Sequence, residues 1–235
     1  MKDDLKYTVE HKNKSSQNLY PTEWVVRTLG GNYPRLKIDK SNYHNRNILD
    51  SGFGDGRNFQ LLADLGFNIH GTEINEQIVE FGYDRLKRLK LKGNLKVSRN
   101  KNIAFSSNYF DYILASSSIY YVEDNSTFLE NKIEHIRVLN HGGSLIANFP
   151  HGRKHFIFNE SDVLQDQHFL IKNDIHKLRN GCVLKGFTHK DEIMDEFKDY
   201  FENISIGYLE EDYYGYKMSM FIMVADKLKK FNKIS

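Results

Sequence analysis

The feature that most constrains the fold is an alternation of short apolar segments with amphipathic segments between residues 46 and 150. Short apolar runs are typical of buried strands, whereas apolar residues spaced three and four apart indicate helices. Strands that alternate with helices favour a parallel sheet covered on both faces. The strand-like segments are RNILDSG, FNIHGTEI, LKVSRN, YFDYILASSSIYYV and GGSLIANFP, and the helix-like segments are RNFQLLADLG, NEQIVEFGYDRLKRLK and STFLENKIEHIRVL.

The C-terminal part of the chain predicts one more helix and two closing strands. The helix THKDEIMDEFKDYF opens with Thr188 and Asp191 at the spacing of a capping box. The segments ENISIGYLEE and YKMSMFIMVADK follow it and predict an antiparallel pair. We therefore predict an α/β fold with a Rossmann-like, doubly wound, mostly parallel sheet of about seven strands and an antiparallel closing strand.

Four ranges follow from this pattern. Residues 1–45 are an N-terminal extension, and residues 46–150 are a ligand-binding core. Residues 151–187, rich in His, Phe and Asp, break the alternation and predict an insertion. Residues 188–235 supply the last helix and the closing strands of the same domain.

Composition excludes several classes of protein. The net charge of +2, from 33 basic and 31 acidic residues, gives no electrostatic footprint for nucleic acid. No apolar run approaches the roughly 18 residues of a membrane span, and the polar N-terminus lacks the apolar stretch of a signal peptide. The single cysteine, Cys182, fits a reducing compartment. We expect a cytoplasmic protein that binds neither nucleic acid nor membrane.

Three glycines at alternate positions follow the first strand, in the segment ILDSGFGDGRN. Gly52, Gly54 and Gly56 lie in the turn before the first helix, where glycine lets a ligand approach the backbone. Glu73 ends the second strand, 21 residues after Gly52 (73 − 52), and is placed to accept hydrogen bonds from both hydroxyls of a ribose. The ligand is therefore expected to contain a nucleoside.

Three nucleoside ligands are compatible with a glycine-rich turn of this kind. A phosphate-binding loop requires Lys-Ser or Lys-Thr after its last glycine, and neither occurs here. The dinucleotide pattern G-x-G-x-x-G would need a glycine at Arg57. Asp50, ahead of the glycines, suits a ligand with an ammonium group better than a pyrophosphate. An NAD-dependent dehydrogenase stays as an alternative.

These motifs resemble those of the class I S-adenosylmethionine-dependent methyltransferases, over roughly residues 46 to 150. ILDSGFGDGRN is similar to the family's first motif, and Glu73 stands at the place of its ribose-binding acid. NIAFSSNYFDYILASSSIYYVED is similar to the next stretch, and RVLNHGGSLIA resembles the helix-to-strand corner. The resemblance implies S-adenosylmethionine as cofactor and S-adenosylhomocysteine as product.

The resemblance also implies which residues bind the cofactor. Two of them depart from the family pattern. Phe53 replaces a small residue or cysteine, which we expect to narrow the pocket around the methionine part, and Asn100 stands near the usual adenine-binding Asp. The implied cofactor-binding residues are Asp50, Gly52, Phe53, Gly54, Gly56, Asn58, Glu73, Ile74, Asn100, Ile103, Ala115 and Ser116.

The chemistry implied by the resemblance is in-line transfer of a methyl group, in which positioning supplies much of the acceleration. A base is needed only for a hydroxyl acceptor, and the candidates are Tyr120, Tyr121 and His151. Each of the three has an alternative role, the tyrosines as packing residues and His151 as a loop residue. No H-E-x-x-H or C-x-x-C motif occurs, so no metal is expected.

The acceptor is expected to be a small molecule. By resemblance, enzymes that methylate adenine or glutamine amides carry an N-P-P-Y-like tetrapeptide where this chain has ASSSIYY. Residues 151–187 would form a lid or an acceptor-binding region. The expected reaction is O-methylation of a saccharide or related metabolite. The alternative is a non-catalytic subunit that binds an S-adenosyl nucleoside and supports a partner protein, and the oligomeric state stays open.

Overall fold

The computed structural model describes residues 2–15 and 19–229. The predicted ranges 1–45 and 188–235 therefore include positions outside the described residues, namely 1, 16–18 and 230–235. None of the helices in the described part is both long and apolar enough to cross a membrane. The helices are α1 (Lys2–Ser15), α2 (Glu23–Gly30), α3 (Phe59–Asp64), α4 (Glu76–Leu89), α5 (Phe128–Val138) and α6 (Lys190–Phe197).

The strands form two sheets, of seven and four strands. The strands are β1 (Asn47–Ser51), β2 (Asn68–Glu73), β3 (Gly93–Val97), β4 (Phe110–Ala115), β5 (Tyr121–Val122), β6 (Leu139–Pro150), β7 (Ser161–Val163), β8 (His168–Ile171), β9 (Val183–Lys185), β10 (Phe201–Tyr213) and β11 (Tyr216–Lys227). The larger sheet has the order β10-β11-β6-β4-β1-β2-β3, and the smaller one the order β5-β9-β8-β7.

The larger sheet confirms the predicted fold. The pairs β1–β2, β2–β3, β1–β4 and β4–β6 are parallel, while β11 runs antiparallel to both β6 and β10. The chain builds outward from β1 through β2 to β3 and then returns to the other side of β1 as β4. The strand order thus reverses between β1 and β4, and ligands of such sheets bind beyond the carboxyl ends of the strands at this point.

The predicted fourth strand is wrong in its second half. Strand β4 ends at Ala115, and Ser117 adopts a left-handed conformation with φ of 58°. Its backbone N–H donates to the side-chain oxygen of Asn148, at 2.7 Å. This turn directs the chain away from the large sheet, so that Tyr121–Val122 becomes β5 of the smaller sheet.

Residues 151–187 of the predicted insertion supply three of the four strands of the smaller sheet, which packs on the core. Phe169, Leu184 and Phe187 are buried in the same apolar cluster as Phe149 of β6. The ring centroids of Phe149 and Phe187 lie 5.2 Å apart, in an edge-to-face arrangement. Burial of aromatic side chains is a large stabilising contribution, so the smaller sheet is an integral layer of the domain.

Capping residues fix the first turns of α4 and α6, and the capping residue of α6 differs from the predicted one. Asn75 precedes α4 and accepts a hydrogen bond from the Ile78 N–H at 3.0 Å. For α6 the predicted pair of Thr188 and Asp191 is wrong by one residue. Glu192 is the residue that reaches back, accepting from the backbone N–H of Thr188 at 2.7 Å and of His189 at 3.2 Å.

The N-terminal helices pack on the large sheet and on α4, near the glycine turn. Trp24 and Val25 of α2 are buried against the sheet, in a cluster with Ile48 of β1. Helix α1 packs on α4, where the Thr8 hydroxyl accepts a hydrogen bond from the Asn75 side chain at 2.9 Å. Helix α1 thereby lies beside the turn that follows β1.

Candidate active site

A cavity of about 810 Å³ opens at the point where the strand order reverses. Its walls come from the glycine turn after β1, the ends of β2, β3 and β4, helix α1 and the loop between β8 and β9. Its size lies within the usual range of small-ligand sites, about 300 to 1,000 Å³. The lining residues that carry charge are Glu10, Asp50, Asp55, Arg57, Glu73, Arg99, Lys101, Glu123, Asp124 and Arg179.

The three glycines have positive φ angles of 68°, 57° and 67° at Gly52, Gly54 and Gly56. Side chains other than glycine are strained there. A Cβ at Gly52 would lie 2.7 Å from Cβ of Ser118, and one at Gly54 would lie 2.8 Å from the His11 ring. Gly52 and Gly54 line the cavity, whereas Gly56 is not in its lining and packs against Phe59.

Asp50 lies at the end of β1 and is almost completely buried, with 1% of its surface exposed. Neither carboxylate oxygen makes a hydrogen bond of ordinary geometry to a described residue, although the Asn58 side chain is close enough to oppose the effect of burial on the Asp50 pKa, and Asp50 lines the cavity. Burial raises the pKa of Asp50 to about 7. A buried carboxylate without a well-formed hydrogen bond is costly, so this position fits a ligand that brings a cationic group such as an ammonium.

Glu73 lies across the glycine turn, at the end of β2. Its two oxygens accept hydrogen bonds from the backbone N–H groups of Gly54, at 2.9 Å, and Ile74, at 2.8 Å. Burial raises the pKa of the Glu73 carboxyl. The side chain therefore fixes the glycine turn against β2, and its remaining lone pairs can accept hydrogen bonds from ligand hydroxyls.

The other residues expected to bind a cofactor divide into two groups. Phe53, Asn58, Ile74, Asn100 and Ser116 line the cavity. Ile103 and Ala115 are buried in the core and are not among the lining residues.

Two of the lining residues have specific contacts. The Asn100 amide donates to the Ser118 carbonyl at 2.8 Å. The Phe53 ring packs toward Gly71 and Gly82, where a Cβ atom would lie 2.6 and 2.7 Å from ring atoms. These two glycines provide the space for the aromatic ring at a position where a smaller residue was expected.

Of the three candidate bases, one lines the cavity and two do not. Tyr121 lines the cavity, and its hydroxyl accepts a hydrogen bond from Nε of Arg179 at 3.0 Å. Tyr120 is buried, burial raises its pKa, and it is not in the lining. His151 is also outside the lining.

The surroundings of His151 account for its position outside the cavity. Its ring stacks on Phe221 of β11, with centroids 5.6 Å apart, and its Nδ1 accepts from the backbone N–H of Arg153. Burial, together with the nearby Lys154, lowers the pKa of the imidazole. The residue therefore packs between a loop and the closing strand, a placement that does not support the predicted role as base.

Several residues of the cavity were not expected from the sequence, among them four from the N-terminal extension and the insertion. Tyr7 and His11 come from α1, and Arg179 and Cys182 come from the loop and strand after β8. None belongs to a motif or to a periodic pattern, and only the tertiary fold brings them to the glycine turn. The sequence shows only that the N-terminal extension and the insertion contain residues with reactive or polar side chains, which is not enough to assign them to the site.

Among residues 2–15 and 19–229, no group of three or more His, Cys, Asp and Glu side chains is arranged to bind a metal ion. The expectation of a metal-independent protein stays a prediction.

Comparisons with known proteins agree with this geometry. Residues 49–147 match the family model described as a methyltransferase domain. No curated protein matches the chain. A SAM-dependent methyltransferase of Methanosarcina mazei is 21% identical, with a TM-score of 0.63 over 85% of this chain and 99% of the other.

Two further solved structures are similar. A SAM-dependent methyltransferase of Aquifex aeolicus is 16% identical, with a TM-score of 0.56 over 94% of this chain and 98% of the other. The 1,6-didemethyltoxoflavin-N1-methyltransferase of Burkholderia thailandensis, solved with S-adenosylhomocysteine, is 11% identical, with a TM-score of 0.57 over 79% of this chain and 72% of the other. Residues 49–147 of the chain thus carry a methyltransferase domain, and the large sheet has the fold of the class I S-adenosylmethionine-dependent methyltransferases.

Proposed function

We propose that this methyltransferase acts on a small molecule, most simply by O-methylation of a saccharide or related metabolite in the cytoplasm. The observation that carries the proposal is that one cavity is lined both by the glycine turn and by residues of the smaller sheet. A cofactor on the glycine turn and an acceptor beside Tyr121 would share this space. The Burkholderia relative, whose substrate is itself a small molecule, gives a precedent within the fold.

The residues of the chain would divide the work of binding and positioning. Asp50 would pair with the ammonium group of the cofactor, and Glu73 would accept hydrogen bonds from its ribose hydroxyls. The bound cofactor supplies a methyl group on a sulfonium, which is already an activated leaving group. The chain then has to orient the acceptor and exclude water, contributions that account for much of the acceleration in reactions of this type.

Tyr121 is the candidate that the cavity favours for contact with the acceptor hydroxyl. Its own hydroxyl receives a hydrogen bond from Arg179 and so keeps its proton available for donation within the cavity. We propose that Tyr121 orients the acceptor oxygen by donating a hydrogen bond to it, and that the proton released on methylation passes to solvent. Tyr120 and His151 would act indirectly, through the packing of the β5 turn and of the loop after β6.

The alternative function is a non-catalytic subunit that binds an S-adenosyl nucleoside and supports a partner protein. An exposed apolar patch on the insertion would favour this alternative, because a partner protein could bind there. Val163 and Leu164 of the insertion expose 72% and 43% of their surface. The cavity beside the glycine turn favours the enzyme, because a supporting subunit has no need for space next to the methyl group.

The test is methyl transfer from S-adenosylmethionine labelled in its methyl group to a panel of saccharides and hydroxylated metabolites. We expect label in a small-molecule product, and we expect Tyr121→Phe to lower turnover by up to roughly 100-fold through loss of positioning, while leaving S-adenosylhomocysteine affinity unchanged. His151→Ala is the matched control and should keep the pH profile of the wild type. Label that appears only in protein or nucleic acid would refute the proposed acceptor class.

A further inference from the structure

Of the three arginines that line the cavity, Arg179 is the one whose acidic partner lies outside the lining, while the cationic Lys101 donates to the backbone carbonyls of Asp124 and Asn125. Arg57 pairs with Asp55, and Arg99 pairs with Glu123 at 3.2 Å, and both acids line the cavity themselves. These pairs therefore present both signs of charge to a ligand. The partner of Arg179 is Asp174, at 3.2 Å, which is completely buried and is not in the lining.

The loop between β8 and β9 holds Arg179 in place. The Asp174 carboxylate accepts hydrogen bonds from the backbone N–H groups of Leu178, at 3.0 Å, and Arg179, at 3.2 Å, as well as from the guanidinium. The Asn180 side chain closes the loop by accepting from the Asp174 N–H at 2.6 Å. Four hydrogen bonds thus fix the carboxylate and orient the guanidinium before any ligand binds.

The guanidinium keeps donors for a ligand. Nη1 is engaged by Asp174, and Nε donates to the Tyr121 hydroxyl. The described residues give Nη2 no hydrogen-bond partner, although the side chain is only 22% exposed and lines the cavity. A largely desolvated, pre-oriented guanidinium whose Nη2 is available is a strong donor to oxyanions.

We propose that Arg179 binds an oxyanion of the acceptor, so that the substrate class is a hydroxylated small molecule carrying a carboxylate or a phosphate. The inference rests on the proposed function and deepens it. Because Arg179 also holds the Tyr121 hydroxyl, the anion would fix the acceptor with a neighbouring hydroxyl at Tyr121. Neutral molecules of the same shape would leave the Nη2 donors unpaired and would bind less tightly.

The single cysteine of the chain provides a local readout, since Cys182 lines the same cavity. The rate of its alkylation by iodoacetamide would be measured with S-adenosylhomocysteine present, in inorganic phosphate, in acetate and in chloride at equal ionic strength. We expect phosphate or acetate to slow alkylation and chloride to have no effect. Protection by phosphate alone or by acetate alone would identify the phosphate or the carboxylate as the source of the oxyanion.

The variants separate the anion contact from the fold. Arg179→Gln should lower the affinity for the anion that protects Cys182, roughly ten- to a hundredfold. Arg179→Lys, which keeps a charge for Asp174, should show an intermediate effect. Arg153→Gln removes an exposed arginine outside the cavity and should behave as wild type.

The contrary results are equally defined. Protection that is absent in the wild type, or that is equal in Arg179→Gln, would overturn the inference. The thermal shift produced by S-adenosylhomocysteine is measured on the same samples and should be the same in Arg179→Gln and wild type. A wild-type protein that S-adenosylhomocysteine stabilises without anion protection refutes only this inference, whereas no stabilisation refutes the proposed function.

Discussion

At the scale of single residues, Asp50 couples ligand binding to the stability of the ligand-free protein. Its carboxylate is buried without a hydrogen bond of ordinary geometry to a described residue, and its pKa is raised to about 7 by burial. The unfolded chain ionises this group near pH 4. Between these two pH values the folded state holds a proton that the unfolded state has lost, so folding becomes less favourable as the pH rises.

Asp50→Asn should therefore stabilise the ligand-free protein above pH 7. The gain is expected to be absent below about pH 4, to grow up to pH 7 and to reach at most about 4 kcal/mol, since three pKa units separate the two states. Urea unfolding across pH 4 to 8 measures it. The same variant should bind S-adenosylmethionine more weakly, and a gain that does not depend on pH would contradict the assignment.

Gly54→Val tests the glycine turn. The φ of 57° strains a β-branched residue, and its Cβ would meet the His11 ring, so we expect loss of S-adenosylhomocysteine binding in calorimetry. Gly215→Val is the matched control, because Gly215 has a φ of 100° with nothing within 4 Å of a Cβ. Gly215→Val should lower the stability of the protein and leave its affinity for S-adenosylhomocysteine unchanged.

Glu73→Ala should weaken S-adenosylhomocysteine binding in a graded way, roughly ten- to a hundredfold, in the same calorimetric measurement.

The sequence was most informative about residues within one continuous motif. Asp50, Gly52 and Gly54 lie in a single strand-to-helix turn, so the local pattern alone places them at a ligand. Arg179 lies in the predicted insertion, far along the chain from that turn, and Tyr7 lies in the N-terminal extension. Both residues reach the cavity only through tertiary packing. His151 was expected near the ligand because it ends a strand, yet its stacking on Phe221 takes its ring out of the cavity lining.

At the scale of elements, helix α1 forms one wall of the cavity. Tyr7 packs edge-on to Tyr121, with ring centroids 6.3 Å apart, and the His11 ring covers Gly54. The helix thus contacts both the glycine turn and the smaller sheet. Side chains of α1 can therefore contact a ligand held between the turn and the smaller sheet.

Replacing both Tyr7 and His11 by Ala should speed dissociation of S-adenosylhomocysteine, by roughly tenfold, since most interface changes act on the dissociation rate. Stopped-flow displacement measures this rate. Val9→Ala is the control from the same helix, because Val9 is 53% exposed. Equal dissociation rates in the double variant and the wild type would show that α1 does not retain the ligand.

Element boundaries show where sequence patterns stop being informative. The predicted helices and parallel strands were confirmed because their apolar periodicity reflects burial against the sheet. The break after Ala115 was missed, since apolar residues resume at Ile119 after three serines while the chain changes sheets. The change depends on the left-handed Ser117 and its bond to Asn148, which no local periodicity reports.

At the scale of the whole molecule, the choice of ligand is the sharpest test of the site. S-adenosylmethionine or S-adenosylhomocysteine at 100 times its dissociation constant should add roughly 2.7 kcal/mol of stability. For a domain of this size that corresponds to a rise in Tm of roughly 5 to 11 °C. Differential scanning fluorimetry measures it, with NAD as the control. A rise with NAD that matched or exceeded that with S-adenosylhomocysteine would contradict the site.

The position of β11 has a consequence for the order in which the protein can be completed during synthesis. This strand is the last one among residues 2–15 and 19–229, yet it lies inside the sheet, paired with β6 from Ser144 to Pro150 and with β10 on its other side. Until Tyr216–Lys227 leaves the ribosome, β6 has an open edge next to the fully buried Leu145, Ile146 and Phe149. Nascent chains at that stage carry an unpaired apolar edge, the kind of surface that chaperones bind and that drives aggregation.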